Sequence, residues 1–172
     1  LWFPVDVSTS SRATIGGMAG NNSCGGRSIR YGMMRDNVLE IEAILSDGSI
    51  YNFGKLDQSN ILSSKELAPK IISPLINLAN ENEKEILSKF PKVLRRVGGY
   101  NIDALLSDAM ATRPNGKIGD GINLSHLLVG SEGTLAYSSS IKLKLSPLPS
   151  KKIMGICHFP SFYEAMDAAQ YI

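Results

Sequence analysis

The chain has 172 residues, 18 lysines and arginines against 16 aspartates and glutamates, a formal net charge of +2 and 43% hydrophobic residues. A chain this long buries about 70% of its unfolded surface, so one domain with a real core is expected, not a disordered chain and not two ordinary domains. The balanced charge gives no electrostatic footprint for nucleic acid or an anionic membrane, and no run of about 18 apolar residues offers a transmembrane helix.

Leu1-Trp2-Phe3-Pro4 reads as the middle of a chain, with no Met to open it and no basic flank before an apolar run. Tyr171-Ile172 stops inside a helical pattern with no Gly or Asn to end it, so a piece of a larger protein is expected. Cys24 and Cys157 lie far apart with no CxxC, which favours a reduced, intracellular chain over a disulfide framework. No motif sets a histidine beside Cys24, which argues against a nucleophile. His126 and His158 lie on apolar stretches without ligand spacing, so structural roles are expected in place of a metal site.

In chain order, residues 1–36 hold six of the sixteen glycines: Gly16, Gly17, Gly20, Gly25, Gly26 and Gly32. Each Gly costs about 1 kcal/mol in a helix, so an irregular functional loop is expected. The embedded Ile15, Met18, Ile29, Tyr31 and Met33 distinguish it from a linker. Residues 38–45 and 49–53 read as a β-hairpin about the turn signal Asp47-Gly48. Leu67, Ile71, Ile72, Leu75 and Ile76 follow the helical period, with Pro74 set to kink or restart the helix. Asn82 and Glu85 form a capping-box pattern before Ile86, Leu87 and Phe90, and Pro91 closes that helix. A short helix is expected over 101–106, an exposed loop over 112–121, and another short helix from the cap Asn123 to Val129. After Gly130-Ser131-Glu132-Gly133-Thr134, residues 135–145 alternate as a half-buried strand, with Ile141, Leu143 and Leu145 on one side. Pro147 and Pro149 mark a boundary; a strand over 153–159 follows, and then a helix capped by Ser161 and Glu164.

The first loop combines close backbone approach at glycine with donors from Ser8, Thr9, Ser10, Ser11, Thr14, Asn21, Asn22 and Ser23. It has neither a GxxxxGK[ST] word nor the strand and helix that frame a Rossmann fingerprint. Two readings stay open from these residues: a nest for a diphosphate, and a glycine-rich turn that only lets two segments pack closely.

The words Phe3-Pro4-Val5-Asp6, Ala13-Thr14-Ile15-Gly16-Gly17-Met18-Ala19, Asn21-Asn22-Ser23-Cys24-Gly25 and Arg30-Tyr31-Gly32 resemble one family. So do Arg35-Asp36-Asn37-Val38-Leu39 and Gly130-Ser131-Glu132-Gly133-Thr134-Leu135. This is the FAD-binding domain of the vanillyl-alcohol oxidase and p-cresol methylhydroxylase superfamily. Within it the chain is similar to FAD-linked D-lactate, glycolate and D-2-hydroxyglutarate dehydrogenases. Residues 93–106 and His158-Phe159-Pro160 look most like the large type, which carries a C-terminal iron–sulfur region.

The resemblance implies an α+β fold, a mixed β-sheet flanked by helices, as in the second FAD subdomain of this family. Residues 1–150 would be that part of the FAD domain, and 151–172 the truncated start of the substrate or cap domain. Backbone groups of Ile15, Gly16, Gly17, Ala19 and Gly20 would wrap the FAD pyrophosphate, with Thr14, Asn21, Asn22 and Ser23 beside it. The whole segment from Pro4 to Gly32, with Pro4 and Gly25 counted among its cofactor-binding residues, would wrap the pyrophosphate and reach the flavin; Asp6 and Thr9 would shape the loop, and Arg30, Tyr31 and Gly32 fix its exit. Glu132, Gly133 and Leu135 would form a second wall, with Ala136 packed on the cofactor. Ser139 keeps a hydroxyl where the family usually has Thr, and Cys24 stands where a small residue is common. Residues 55–92 and 107–122 look like insertions.

The family's first glycine loop and its metal-binding and substrate-binding residues are missing from these 172 residues, so the chain would carry FAD-binding residues and no catalytic or metal set. The resemblance implies that the parent oxidises a D-2-hydroxy acid to a 2-oxo acid by hydride transfer to flavin. A small hydroxy acid and an electron acceptor would be its partners, nucleic acid would not, and its location would be cytoplasmic or peripheral to a membrane. The competing expectation is that the chain alone is a structural fragment that binds no FAD, with half the site gone. A phosphate or nucleic-acid module is a third, disfavoured by the charge balance.

Overall fold

The structure, a computed structural model, describes residues 1–56, 67–93, 95–106 and 121–171. Three short helices open it: α1 (Ile15–Asn21), α2 (Ser28–Tyr31) and α3 (Met34–Asn37). The hairpin of β1 (Val38–Ile44) and β2 (Ile50–Phe53) follows, then α4 (Leu67–Glu81) and α5 (Glu83–Lys89). A 3-10 turn (Ile102–Leu105), α6 (Ser125–Leu128), β3 (Tyr137–Leu143), α7 (Phe162–Ala168) and a last 3-10 turn (Ala169–Tyr171) complete the order.

The three strands form a sheet of order β2-β1-β3. The α+β class stands as expected. Where a mixed sheet was expected, both described pairings are antiparallel. For β1 and β2 the reason is local: Gly48 takes a positive φ of 83° and its N–H bonds Leu45 O at 2.9 Å, so the chain reverses at Asp47-Gly48.

β1 is the axis of the core. Its buried residues Val38, Ile41 and Ala43 do not keep strict alternation, because the β1–β3 register shifts twice. Val38 and Glu40 face Leu143 and Lys142, so β1 carries one extra residue there, and Ser139 is the extra residue on β3 further along. The Ser139 hydroxyl lies 2.6 Å from Glu42 Oε1 and 3.0 Å from the Glu42 carbonyl, which ties the second bulge to β1.

Against β1 packs α6, and the 3-10 turn 102–105 packs against α4, α5 and α6, bringing Leu105, Leu106, Leu124, Leu127, Leu128 and Val129 into one cluster with Met18, Met34, Phe53 and Ile72. Two short pairings brace the edges of this core. Trp2 and Ser146 exchange two backbone bonds of 2.9 Å, while Leu124 N–H donates to Gly54 O and Leu56 N–H to Ile122 O, both at 2.8 Å.

Four expectations are corrected. The glycine loop contains a helix: α1 runs through Gly16, Gly17 and Gly20. Three devices offset the glycine cost there: the Thr14 cap, burial of Met18 and Ala19, and a left-handed C-cap at Asn22. Of the two roles expected for Pro74, restarting the helix does not occur, since α4 is continuous across it. Asn82 precedes α5 without a side-chain cap bond; its Nδ2 instead donates to Leu78 O at 2.8 Å, closing the end of α4. Residues 153–159 form no strand. Ile153 is 94% exposed, and no described strand lies alongside to complete its hydrogen bonds.

Other elements form as expected. Ser161 caps α7 by accepting from Glu164 N–H at 3.3 Å, Asn123 Oδ1 accepts from Ser125 N–H at 3.0 Å, and α5 ends at Phe90 before Pro91. The loop expected over 112–121 lies outside the described residues apart from Gly121.

Ile41 is 1% exposed and sits opposite Phe53 on β2 and Ile141 on β3. Ile41→Ala is expected to lower stability by about 2–5 kcal/mol in chemical denaturation.

Candidate functional site

The two glycine words meet. Gly130 N–H donates to Ala19 O at 2.9 Å, and Glu132 N–H donates to Gly20 O at 3.0 Å. Asn21 Nδ2 donates to Glu132 Oε1 at 3.0 Å, a bond between residues 111 positions apart. α1 is therefore one wall, and the 130–135 turn leading into β3, bonded to the last turn of α1, is the other.

The first wall is set by its cap. Thr14 Oγ1 accepts Gly17 N–H at 3.1 Å, and Thr9 O accepts the N–H groups of Arg12 and Ala13 at 2.9 Å. The start of a helix presents N–H groups without intrahelical acceptors, together with the positive end of the helix dipole. Ile15, Gly16 and Gly17 are exposed at that end.

A side chain at Gly16 would meet nothing within 4 Å, so packing inside the chain does not explain the glycine. An unhindered backbone on a helix, kept at a cost of about 1 kcal/mol relative to Ala, fits close approach by something outside the chain. Gly25 is the opposite case. A Cβ there would stand 1.3 Å from Asp6 O, so its role is internal packing.

The second wall turns on Glu132, which has a positive φ of 54°. Its carboxylate is held at the C-terminal end of α1, roughly 8 Å along the helix axis from the exposed N–H end. That separation keeps its negative charge away from the place where an anion would sit. Tyr100 Oη and Thr134 Oγ1 are 2.9 Å apart across the outer side of the turn. Ile15 and Leu135 are 39% and 45% exposed, apolar surface beside both walls.

The other expected residues sort by their bonds. Asp6 Oδ1 accepts Arg27 N–H at 2.9 Å, with the Arg27 guanidinium 3.7 Å from the other carboxylate oxygen. Pro4 is buried. Tyr31 stacks edge-on against Trp2, ring centroids 5.6 Å apart, and Gly32 takes a positive φ of 79° against Asp36. Ser23 Oγ donates to Asn21 Oδ1 at 3.3 Å. Asn22 turns inward: it is 0% exposed, accepts Arg35 N–H at 3.0 Å and donates to Arg96 O at 3.4 Å. Ser139 is engaged by Glu42.

The walls therefore unite Ile15, Gly16, Gly17, Gly20, Asn21, Glu132, Gly133 and Leu135. Asp6, Gly25, Tyr31 and Gly32 brace the surrounding loop, and Asn22 braces from behind. In the sequence Arg35-Asp36-Asn37 stood out as part of a word without a role, and Arg96, Asn101 and Asp103, within residues 93–106, were given none. The available signal was polar residues beside Gly98-Gly99 in an irregular stretch. Among the described residues no group of three His, Cys, Asp or Glu converges as metal ligands, and Cys24 and Cys157 are free thiols. No helix among them is long and apolar enough to cross a membrane.

The braced pair of walls thus joins open backbone to bordering apolar surface. Residues 1–54 match the family described as FAD binding domain. The chain is 33% identical to a D-2-hydroxyglutarate dehydrogenase of Pantoea ananatis over 98% of its own length and 16% of the relative's. It is 28% identical to a probable mitochondrial D-lactate dehydrogenase of Danio rerio (100% and 23%) and 27% identical to the glycolate oxidase subunit GlcD of Bacillus subtilis (98% and 23%). These likenesses support the FAD-binding superfamily that the chain's glycine words resemble. It spans about a sixth to a quarter of the length of these relatives.

The contrast between the two glycines gives a paired test. Gly25→Ala should destabilise the protein by about 1–3 kcal/mol through overpacking against Asp6. Gly16→Ala should stabilise the cofactor-free protein by up to about 1 kcal/mol. Thermal or chemical melts of both variants check the opposite signs.

Proposed function

We propose that this chain supplies one face of the FAD site of a longer flavoprotein that oxidises a D-2-hydroxy acid to the 2-oxo acid. The observation that carries the reading is the open first turn of α1 at Ile15–Gly17, on a helix whose last turn is tied by backbone bonds to the Glu132 turn. The names of the relatives support the substrate class.

A bound flavin supplies the hydride acceptor for such an oxidation. The chain's own residues do the holding. N–H groups in the first turn of α1 donate to pyrophosphate oxygens, and absence of a side chain at Gly16 lets the phosphates reach them. Thr14 contributes indirectly, by fixing the turn. Ile15 and Leu135 cover apolar parts of the cofactor and exclude water from it. Glu132, held by Asn21 at the far end of α1, would keep its charge away from the phosphates. Residues 1–150 act as this part of the FAD domain, and the exposed segment from 151 onward begins the next. The hydroxy acid and the electron acceptor bind elsewhere in the longer polypeptide.

The full-length protein tests this. It should purify with flavin absorbance or take up added FAD, and anaerobic D-lactate or D-2-hydroxyglutarate should bleach the flavin band while the L enantiomers do not. Gly16→Val should weaken FAD binding by roughly tenfold or more without lowering the melting temperature of the cofactor-free protein, since Val is no worse than Gly in a helix. A protein with no flavin and no uptake would overturn the site. Flavin binding without bleaching by either D acid would overturn the substrate class.

A further inference from the structure

Behind the two walls lies a polar cluster that the proposed binding chemistry does not use. Arg35 is 5% exposed. Its Nη1 donates to Asn101 Oδ1 at 2.8 Å and lies 3.9 Å from Asp103 Oδ2. Arg96 bonds the same carboxylate oxygen, and its guanidinium lies 4.6 Å from the centre of the Phe90 ring. Burial pushes the Arg35 guanidinium below its ordinary pKa, and the carboxylates of Asp36 and Asp103 pull it back up.

The cluster reaches both walls. Toward the first, the Arg35 N–H donates to Asn22 Oδ1, and Asn22 is the C-cap of α1. Toward the second, Asn101 Nδ2 donates to Val129 O at 2.7 Å and to His126 O at 3.3 Å, directly before Gly130. Gly130 sits where these parts converge. Its φ is +84°, and a Cβ there would come 3.3 Å from Asn22 Cβ and 3.4 Å from Gly99 O.

Stability alone is a poor reason for this arrangement. Buried ion pairs often contribute little net stability, because desolvation offsets the attraction. Here Arg35 Nε and Asp103 Oδ1 also have no hydrogen-bond partner among the described residues, which adds to the cost. What the cluster does supply is geometry: a planar guanidinium with fixed donor directions, joining segments that sequence separates widely.

We propose that Arg35 is a positioning residue: its backbone N–H holds Asn22 and its guanidinium holds Asn101, so that together they set the separation of the two walls and with it the affinity for FAD. The effect on FAD rests on the reading of the walls given above; the effect on wall separation does not. Lysine at position 35 would keep the charge and the backbone bond but lose the fixed direction toward Asn101.

The test uses the full-length protein and Arg35→Lys, each with and without FAD. Without FAD, the amides of Gly130 and Glu132 should exchange with deuterium roughly tenfold faster in the variant, while the β1–β3 amides keep their wild-type rates. The FAD dissociation constant should rise by roughly tenfold, the scale on which supporting residues around a bound group act. Uniformly faster exchange with unchanged affinity of the folded protein would show a merely structural role and overturn the proposal, as would no change at Gly130 and Glu132. Wild type that binds no FAD would sink the cofactor reading while leaving the exchange comparison to decide the wall geometry. Should Arg35→Lys fail to fold, Asn101→Ser carries the same expectations, since it keeps the Arg35–Asp103 pair and removes the donor to Val129. Failure of both to fold would contradict the proposal, because the cluster would then determine the whole fold.

Discussion

The structure depends on two backbone hydrogen bonds, Gly130 to Ala19 and Glu132 to Gly20. Bonds of this kind fix the distance between main chains regardless of side chains. A Cβ on Gly20 would lie 3.8 Å from Glu132 Cα, ordinary contact with little to spare. Once these bonds form, β3 leaves the turn beside α1 and pairs with β1, so the sheet and the glycine wall share a single origin. The Arg35 cluster holds the same junction from its buried side. The open face and the core are thus two sides of one construction.

Much of the fold was legible because its signals are local. Asp47-Gly48 between two apolar runs gave the hairpin, and Ser161 with Glu164 gave the start of α7. The alternation of Ile141 and Leu143 gave β3. The failures came where a local signal met a longer-range force. The three glycines of α1 argued against helix, yet burial of Met18 and Ala19 and capping at both ends outweighed them. Asn82 had the right neighbour for a capping box, but the nearby Leu78 carbonyl at the end of α4 took its amide. Residues 153–159 had the composition of a strand with nothing beside them to pair with.

The candidate site divides in the same way. Its two walls were visible as words, through resemblance, because each is a contiguous glycine-bearing run. Their meeting was not visible, since nothing in either word encodes a bond across more than a hundred residues. The cluster behind them was harder still. Arg35, Asn101 and Asp103 are ordinary polar residues until folding buries them together. Asn22 shows how a word can mislead in detail: it belongs to the glycine motif, but its side chain serves the scaffold. Gly16 and Gly25 show the reverse, identical residues that only the structure separates into one shaped by internal packing and one left open.

Amide exchange of the full-length protein with and without FAD tests the central claim most directly. The account predicts that FAD slows exchange at Ile15–Gly17 and across the Glu132–Thr134 turn together, while the exposed Asp47–Ser49 turn is unchanged. Protection confined to other parts of the polypeptide, with both glycine walls exchanging at their FAD-free rates, would contradict it.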